Sequence, residues 1–142
     1  SITPDKLIYR SFKGIKFKNI VSQKKGSLGI RMWNLKKITS NPLLIIGSDI
    51  PKIKPRYIYN AFGILLTKQV VLGPSFDGGF WLIGFSNNKP IKYPFNNIKW
   101  STKNTLIDTI SSLKKHNISY GLCNKLKDID NYHDYKTFKH YN

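Results

Sequence analysis

Several residue types are scarce in this chain of 142 residues, and each scarcity excludes a class of protein. There is one cysteine, Cys123, so no internal disulfide can form, and its apolar neighbours favour an inert thiol in the core. No run approaches the roughly 18 apolar residues that cross a bilayer, and residues 1–10 lack the apolar core of a signal peptide. We therefore expect a cytoplasmic protein without a membrane span.

Carboxylates are also scarce, which makes each position informative. Glutamate is absent, and Asp49 and Asp77 each follow a short apolar run, at residues 43–46 and 70–72. Ligands of open α/β sheets bind beyond the carboxyl ends of the strands, where converging carboxylates could hold a divalent cation. The alternative is that surrounding lysines merely pair with them. The seven acids are Asp5, Asp49, Asp77, Asp108, Asp128, Asp130 and Asp134.

The net charge of +17 would suit a polyanionic partner. However, 21 of the 24 basic residues are lysines spread along the chain, and only three are arginines. Specific readers of nucleic acid usually depend on arginine for bidentate contacts. A general enrichment in Lys, Ile and Asn explains the charge equally well, so we do not expect nucleic acid as the partner.

Residues 70–85 (VVLGPSFDGGFWLIGF) predict a strand, a glycine-rich bend and a second strand. Asp77 stands in the bend beside Gly78 and Gly79, which permit a positive φ or the close approach of a ligand. This arrangement presents one carboxylate at the end of a sheet. The alternative is a hairpin turn in which Asp77 caps its own backbone.

Strand and helix patterns alternate along the chain, which indicates a layered α/β fold. Residues 43–46 (LLII) predict a buried strand of a parallel sheet, and residues 118–122 a last strand. Pro55 starts a predicted helix through about Leu66, and a further helix follows residues 100–102 (WST). Ser27 is a plausible helix N-cap, and the glycine-bearing turn before it suits an anion. The apolar stripes of the two later helices are Ile58, Ala61, Phe62 and Leu65, and Leu106, Ile110 and Leu113.

Five segments together resemble the DUF2064 family, in the order found there. They are residues 23–32 (QKKGSLGIRM), 46–51 (IGSDIP), 72–84 (LGPSFDGGFWLIG), 100–102 (WST) and 128–130 (DID). The resemblance covers roughly residues 3–134. It implies a three-layer α/β sandwich of the type found in GT-A glycosyltransferases and nucleotide-diphospho-sugar transferases, similar to the molybdenum-cofactor nucleotidyltransferases.

Two departures from the family pattern concern the nucleotide site. The family normally begins with a strand and a basic loop, approximately P-x-x-G-x-V-K-T-R-L, that would cradle the nucleotide diphosphate. Residues 1–5 match the family only after its first strands, so we expect residues 1–142 to be one domain, the C-terminal two thirds of a GT-A-like domain. Ser27 also stands where the family commonly has Asp, which removes a charge that could hold a cation or a donor hydroxyl.

The resemblance implies a metal-dependent glycosyltransferase with a nucleotide-sugar donor and an unknown acceptor. Asp49 and Asp130 would hold Mg²⁺ or Mn²⁺, and Asp77 would orient the acceptor or act as general base. The substrate-binding residues would be Gly26, Gly29, Arg31, Gly78, Gly79 and Trp81.

Other roles for these residues and other functions for the chain stay open. Asp49 could be a turn acid before Pro51, Asp130 a helix cap, Trp81 a core residue and Arg31 a solvent-exposed one. The alternative functions are a nucleotidyltransferase of the same fold and a non-catalytic basic remnant that binds anionic partners. Absent first strands would also leave a sheet edge open, from which we expect self-association.

Overall fold

A computed structural model describes residues 21–50 and 52–127. The chain divides into two compact units, Ser1–Ser40 and Asn41–Asn142. The single domain expected over residues 1–142 stays a prediction. In the part that is described, no helix has the length and apolar character needed to cross a membrane.

The described part of the first unit contains one helix, α1 (Leu28–Lys37). Ser27 has an extended backbone, and its hydroxyl accepts a hydrogen bond from the Ile30 N–H at 3.4 Å. This satisfies one of the amides that a helix N-terminus leaves without a partner. Lys36 and Lys37 in the last turn complement the helix dipole. The predicted N-cap is confirmed.

The described part of the second unit alternates strands and helices, as the sequence predicts. The elements are β1 (Leu43–Ile46), α2 (Pro55–Leu65), β2 (Val70–Pro74), β3 (Phe80–Phe85), α3 (Thr105–Lys115) and β4 (Tyr120–Leu122). The mixed α/β fold is thus confirmed, and α2 begins at the proline predicted to start it. Proline is favoured at the first position of a helix because its fixed φ suits the helix. An N–H group at this position would have no partner within the helix, so its absence costs nothing.

The sheet has the order β1-β3-β2-β4, with β3 antiparallel to both of its neighbours and β4 parallel to β2. Within the described residues, 21–50 and 52–127, the prediction that β1 pairs as a buried parallel strand is wrong. Its neighbour is the antiparallel β3, and Ile46 at its end is 39% exposed. The tight β2–β3 hairpin returns β3 between β1 and β2. As a consequence β1, β2 and β4 all run in the same direction and end at one edge of the sheet.

Helix α2 packs on one face of this sheet. Ala61 and Leu65 are buried in a cluster with Val71 and Leu82. The contact with β4 is close, because a Cβ on Gly121 would lie 2.5 Å from Ile64 Cγ2. The predicted stripe is wrong at Phe62, which is 41% exposed, because the inward face of α2 is narrower than the apolar pattern suggests.

The other face of the sheet is covered as well. Val70, Leu72 and Phe85 are fully buried, although alternation along a strand turns them away from α2. The Phe85 ring meets the edge of Phe95, from the segment after β3, with centroids 6.2 Å apart. The core therefore extends on both sides of the sheet.

Helix α3 begins at Thr105, so it follows the WST motif at residues 100–102 as predicted. Ser101 has a positive φ of 58°, which is incompatible with a right-handed helix. Residues 100–104 form turns instead, and the Thr105 hydroxyl lies 2.8 Å from the Thr102 carbonyl oxygen. Leu113 is buried and Leu106 and Ile110 are half-buried, so the predicted stripe faces inward to differing degrees.

Candidate functional site

Three polypeptide segments leave the sheet at the edge where β1, β2 and β4 end. Residues 47–49 follow β1, residues 75–79 join β2 to β3, and residues 123–127 follow β4. Backbone hydrogen bonds fix two of these segments to the sheet: Gly47 N–H donates to Trp81 O of β3 at 2.9 Å, and Leu126 N–H donates to Pro74 O of β2 at 3.1 Å. Asp49 and Asp77 therefore lie beyond strands at the same sheet edge, as their spacing indicated.

The Asp77 carboxylate is fixed by its own loop. Its Oδ1 accepts hydrogen bonds from the Ser75 hydroxyl and from the Gly79 N–H, the latter at 2.8 Å. Ser75 is buried, whereas Asp77 is exposed. The capping turn considered from the sequence is therefore present. It also holds a charged group toward solvent in one orientation, as a catalytic carboxylate needs.

The same loop is docked on the N-terminus of α3. The Gly78 carbonyl accepts from the Leu106 N–H at 2.9 Å, and Gly78 has a φ of +91°. A Cβ there would lie 2.1 Å from the Lys103 carbonyl oxygen. A Cβ on the buried Gly79 would lie 3.2 Å from Asp77 Oδ1. Both glycines thus serve the shape of the loop, and their contact with substrate stays a prediction.

Asp49 lies in the turn after β1 and is exposed. Its Oδ1 folds toward Gly47, where a Cβ would lie only 2.8 Å from it. Within residues 21–50 and 52–127, no group of three or more His, Cys, Asp or Glu side chains could enclose a metal ion. Asp130 lies outside the described residues, as does Asp128. A single exposed carboxylate nevertheless fits Mg²⁺, which is commonly held by one or two carboxylates together with substrate phosphates.

Trp81 lies in the core beneath the site. It is 2% exposed, and its indole Nε1–H donates to the Asn124 carbonyl at 2.8 Å. The ring occupies the space where a Cβ on Gly73 would otherwise lie, 2.6 Å from Nε1. This burial favours the alternative that Trp81 supports the sheet edge and does not stack on a sugar.

The remaining predicted ligand residues lie in the first unit. Gly26 has a positive φ of 130°, and Gly29 is buried within α1. Arg31 is half-buried, and its Nη1 donates to Gln23 Oε1 at 2.9 Å. Their role in binding a donor together with Asp49 stays a prediction.

Two further residues at this edge were not singled out from the sequence. Phe76 is 64% exposed, and the Lys125 Nζ lies 4.3 Å from the centroid of its ring. The sequence places an aromatic residue between Ser75 and Asp77, in the predicted bend and outside both predicted strands. That position could have indicated an exposed ring. Nothing in the sequence distinguishes Lys125 from the other lysines of the chain, which has 21 in all.

Cys123 lies beside the site but is chemically protected. It is buried, its N–H donates to Leu72 O at 2.9 Å, and burial raises the pKa of its thiol to about 11. The thiolate is the reactive form, so the expectation of an inert core cysteine agrees with this environment.

We expect iodoacetamide to label Cys123 at pH 8 roughly 100-fold more slowly in the folded chain than in denaturant, because the thiolate is that much rarer. The raised pKa also means that the unfolded chain loses this proton first as pH rises, so the contribution of this group to stability falls between about pH 9 and 11. Labelling rates of the folded and the denatured chain, measured by mass spectrometry, test the predicted difference of roughly 100-fold. Equal rates would show that the thiol is accessible and unperturbed.

Comparisons with known proteins agree with this architecture. A proposed nucleotide-diphospho-sugar transferase from Desulfovibrio desulfuricans G20 has a solved structure that matches with a TM-score of 0.73 and 25% sequence identity. The match covers 82% of this chain and 52% of that one, so this chain spans about half of its length. No curated protein matches. Residues 8–102 match the model of the family described as "Uncharacterized protein conserved in bacteria (DUF2064)". The chain therefore belongs to the DUF2064 family.

Proposed function

We propose that this chain acts in a metal-dependent glycosyltransferase that uses a nucleotide-sugar donor. The observation that carries the proposal is the placement of two exposed carboxylates, Asp49 and Asp77, at the edge where β1, β2 and β4 end. This is the usual place for ligands in open α/β sheets. The likeness to a proposed nucleotide-diphospho-sugar transferase supports the same substrate class.

Asp49 would hold a divalent cation together with the donor diphosphate. When bound, Mg²⁺ or Mn²⁺ would supply positive charge that stabilises the departing diphosphate. The donor would lie along the same edge, so its sugar would come within reach of the β2–β3 loop. Asp130 is proposed as a second ligand.

Asp77 would act as the general base. The acceptor hydroxyl oxygen would form a bond to the anomeric carbon of the donor sugar, and its proton would pass to the Asp77 carboxylate. The bond between that carbon and the diphosphate oxygen would break, and the nucleoside diphosphate would leave with the electron pair. The hydrogen bonds from Ser75 and Gly79 hold Asp77 Oδ1 in position before the substrates bind. The loop therefore need not reorganise during sugar transfer.

The charge of +17 supports a second candidate, a basic module that binds anionic partners without catalysis. Such binding would weaken steeply with salt and would be indifferent to Asp49 and Asp77. A nucleotidyltransferase of the same fold would instead share the requirement for Asp49 and a metal.

The test is calorimetric titration of the chain with UDP-, GDP- and CTP-type ligands in the presence and absence of Mn²⁺. We expect one ligand class to bind only with metal, and Asp49→Ala to weaken that binding at least tenfold, about 1.4 kcal/mol. Asp108→Ala removes the same charge from α3 and should leave the affinity unchanged. Metal-independent binding, or equal affinity in the Asp49 variant, would contradict the proposal.

A further inference from the structure

Phe76 and Lys125 are brought together by two segments whose positions are fixed. The chain beyond β4 continues alongside β2, with Cys123 N–H donating to Leu72 O at 2.9 Å and Leu126 N–H donating to Pro74 O at 3.1 Å. Ser75 and Leu126 form a parallel bridge. Phe76 and Lys125 each adjoin one of these bridged residues, so the backbone brings the ammonium to the ring.

The pair leaves surface available for a ligand. Phe76 is 64% exposed, so the Lys125 side chain covers only part of this residue. A cation–π contact is electrostatic attraction to the ring face, and it leaves ammonium N–H donors for other acceptors. Among residues 21–50 and 52–127, no ion pair joins Lys125 to a carboxylate. The apolar ring of Phe76, the residue that precedes Asp77 in the sequence, and the cation of Lys125 therefore lie side by side.

Resting on the proposed function, we propose that Phe76 and Lys125 form the acceptor subsite, and that the acceptor is a hydroxylated ring compound carrying an anionic group. Phe76 packs against the apolar C–H face of the ring, and Lys125 binds the phosphate or carboxylate. The acceptor hydroxyl then lies on the side of Asp77, which receives its proton. An ammonium binds either anion as a point charge, so the subsite recognises the charge and not one anion geometry.

The test is an NMR titration of ¹⁵N-labelled full chain, without donor or metal, at fixed ionic strength. The probes are glucose 6-phosphate for the phosphate arm, glucuronate for the carboxylate arm and methyl glucoside as the uncharged match. We expect at least one anionic probe to shift the amides of residues 75–79 and 123–127 and to bind roughly tenfold more tightly than methyl glucoside. Equal affinity for charged and uncharged probes would overturn the proposal.

Variants assign the effect to this pair. Lys125→Gln should remove the roughly tenfold preference for the anionic probe, whereas Lys114→Gln, the same charge change on α3, should keep it. Phe76→Ala should weaken all three probes, and Phe76→Leu gives the same information if the alanine variant is unstable. If both lysine variants lose the same affinity for the anionic probe, and a single-stranded oligonucleotide displaces the probe equally well from each, the chain attracts polyanions in general. That result would overturn the proposed subsite.

Failure of this subsite can be told apart from failure of the proposed function. Lys125-dependent binding of an anionic probe by a chain that binds no nucleotide sugar with Mn²⁺ would support the subsite and reject the donor. Binding of donor and Mn²⁺ through Asp49, with neither anionic probe bound, would reject the subsite alone.

Discussion

Replacing Asp77 with asparagine should slow sugar transfer by about 10²–10⁴-fold, the usual contribution of a general base. Donor binding should change little, because the proposed metal contact belongs to Asp49. The measurement is the rate of nucleoside diphosphate release with the nucleotide sugar and acceptor that bind in titration. The loss should fall on kcat, since the proton is taken only as the acceptor oxygen attacks.

Asparagine separates this catalytic role from the capping role that the structure shows. The Asn amide oxygen can still accept from the Ser75 hydroxyl and the Gly79 N–H, so the loop keeps the bonds that now end on Oδ1. Unfolding free energy should therefore change by only about 0.5–1.5 kcal/mol. Asp108→Asn, with the same charge change on α3, is the control and should retain activity. Undiminished kcat in the Asp77 variant would leave Asp77 as a turn cap only.

The structural features that the sequence predicted correctly are those set by neighbouring residues. Ser27 caps α1 through the amide of Ile30, three positions on, and Pro55 begins α2. The bend at residues 75–79 is likewise determined by its own residues, since Gly78 supplies the positive φ and Asp77 bonds the amide two positions later. Each of these features depends on residues only a few positions apart, so it can be predicted from the sequence without knowing the fold.

What the sequence could not predict depends on contacts between distant segments. Apolar composition alone does not say which strand will lie beside β1, and the hairpin placed the antiparallel β3 there. Burial of Trp81 depends on the space above Gly73 and on the carbonyl of Asn124, 43 positions later. Lys125 differs from other lysines only because the chain beyond β4 passes beside the β2–β3 loop.

The candidate site shows the same division. That Asp49 and Asp77 follow strands could be predicted, and the parallel directions of β1, β2 and β4 bring both to one edge. The family resemblance added Arg31 and the glycines near it, but these belong to the first compact unit. Local patterns thus identify the carboxylates, whereas the fold decides which of them share an edge.

Replacing Gly78 with alanine should destabilise the second unit by about 2–5 kcal/mol. A φ of +91° is strained for any residue with a Cβ, and the new methyl group would lie 2.1 Å from the Lys103 carbonyl oxygen. Backbone strain of about 1–2 kcal/mol and overpacking of about 1–3 kcal/mol would add, since the clashing atom is backbone and cannot rotate away. The loop must then separate from α3 and give up the bond from Leu106 N–H. Tm, measured by circular dichroism, should fall by about 10 °C or more.

Gly63 provides the matched control for this substitution. It lies in α2, is exposed, and a Cβ there would meet nothing within 4 Å. Gly63→Ala should therefore raise stability by about 0.5–1 kcal/mol, because alanine loses less backbone entropy than glycine in a helix. If the same Gly→Ala substitution lowers stability at position 78 and raises it at position 63, then position 78 requires glycine because of its positive φ and the close approach of Lys103. An unchanged Tm in the Gly78 variant would show that the β2–β3 loop is not held against α3, and Asp77 would then lack the fixed position that the proposed reaction requires.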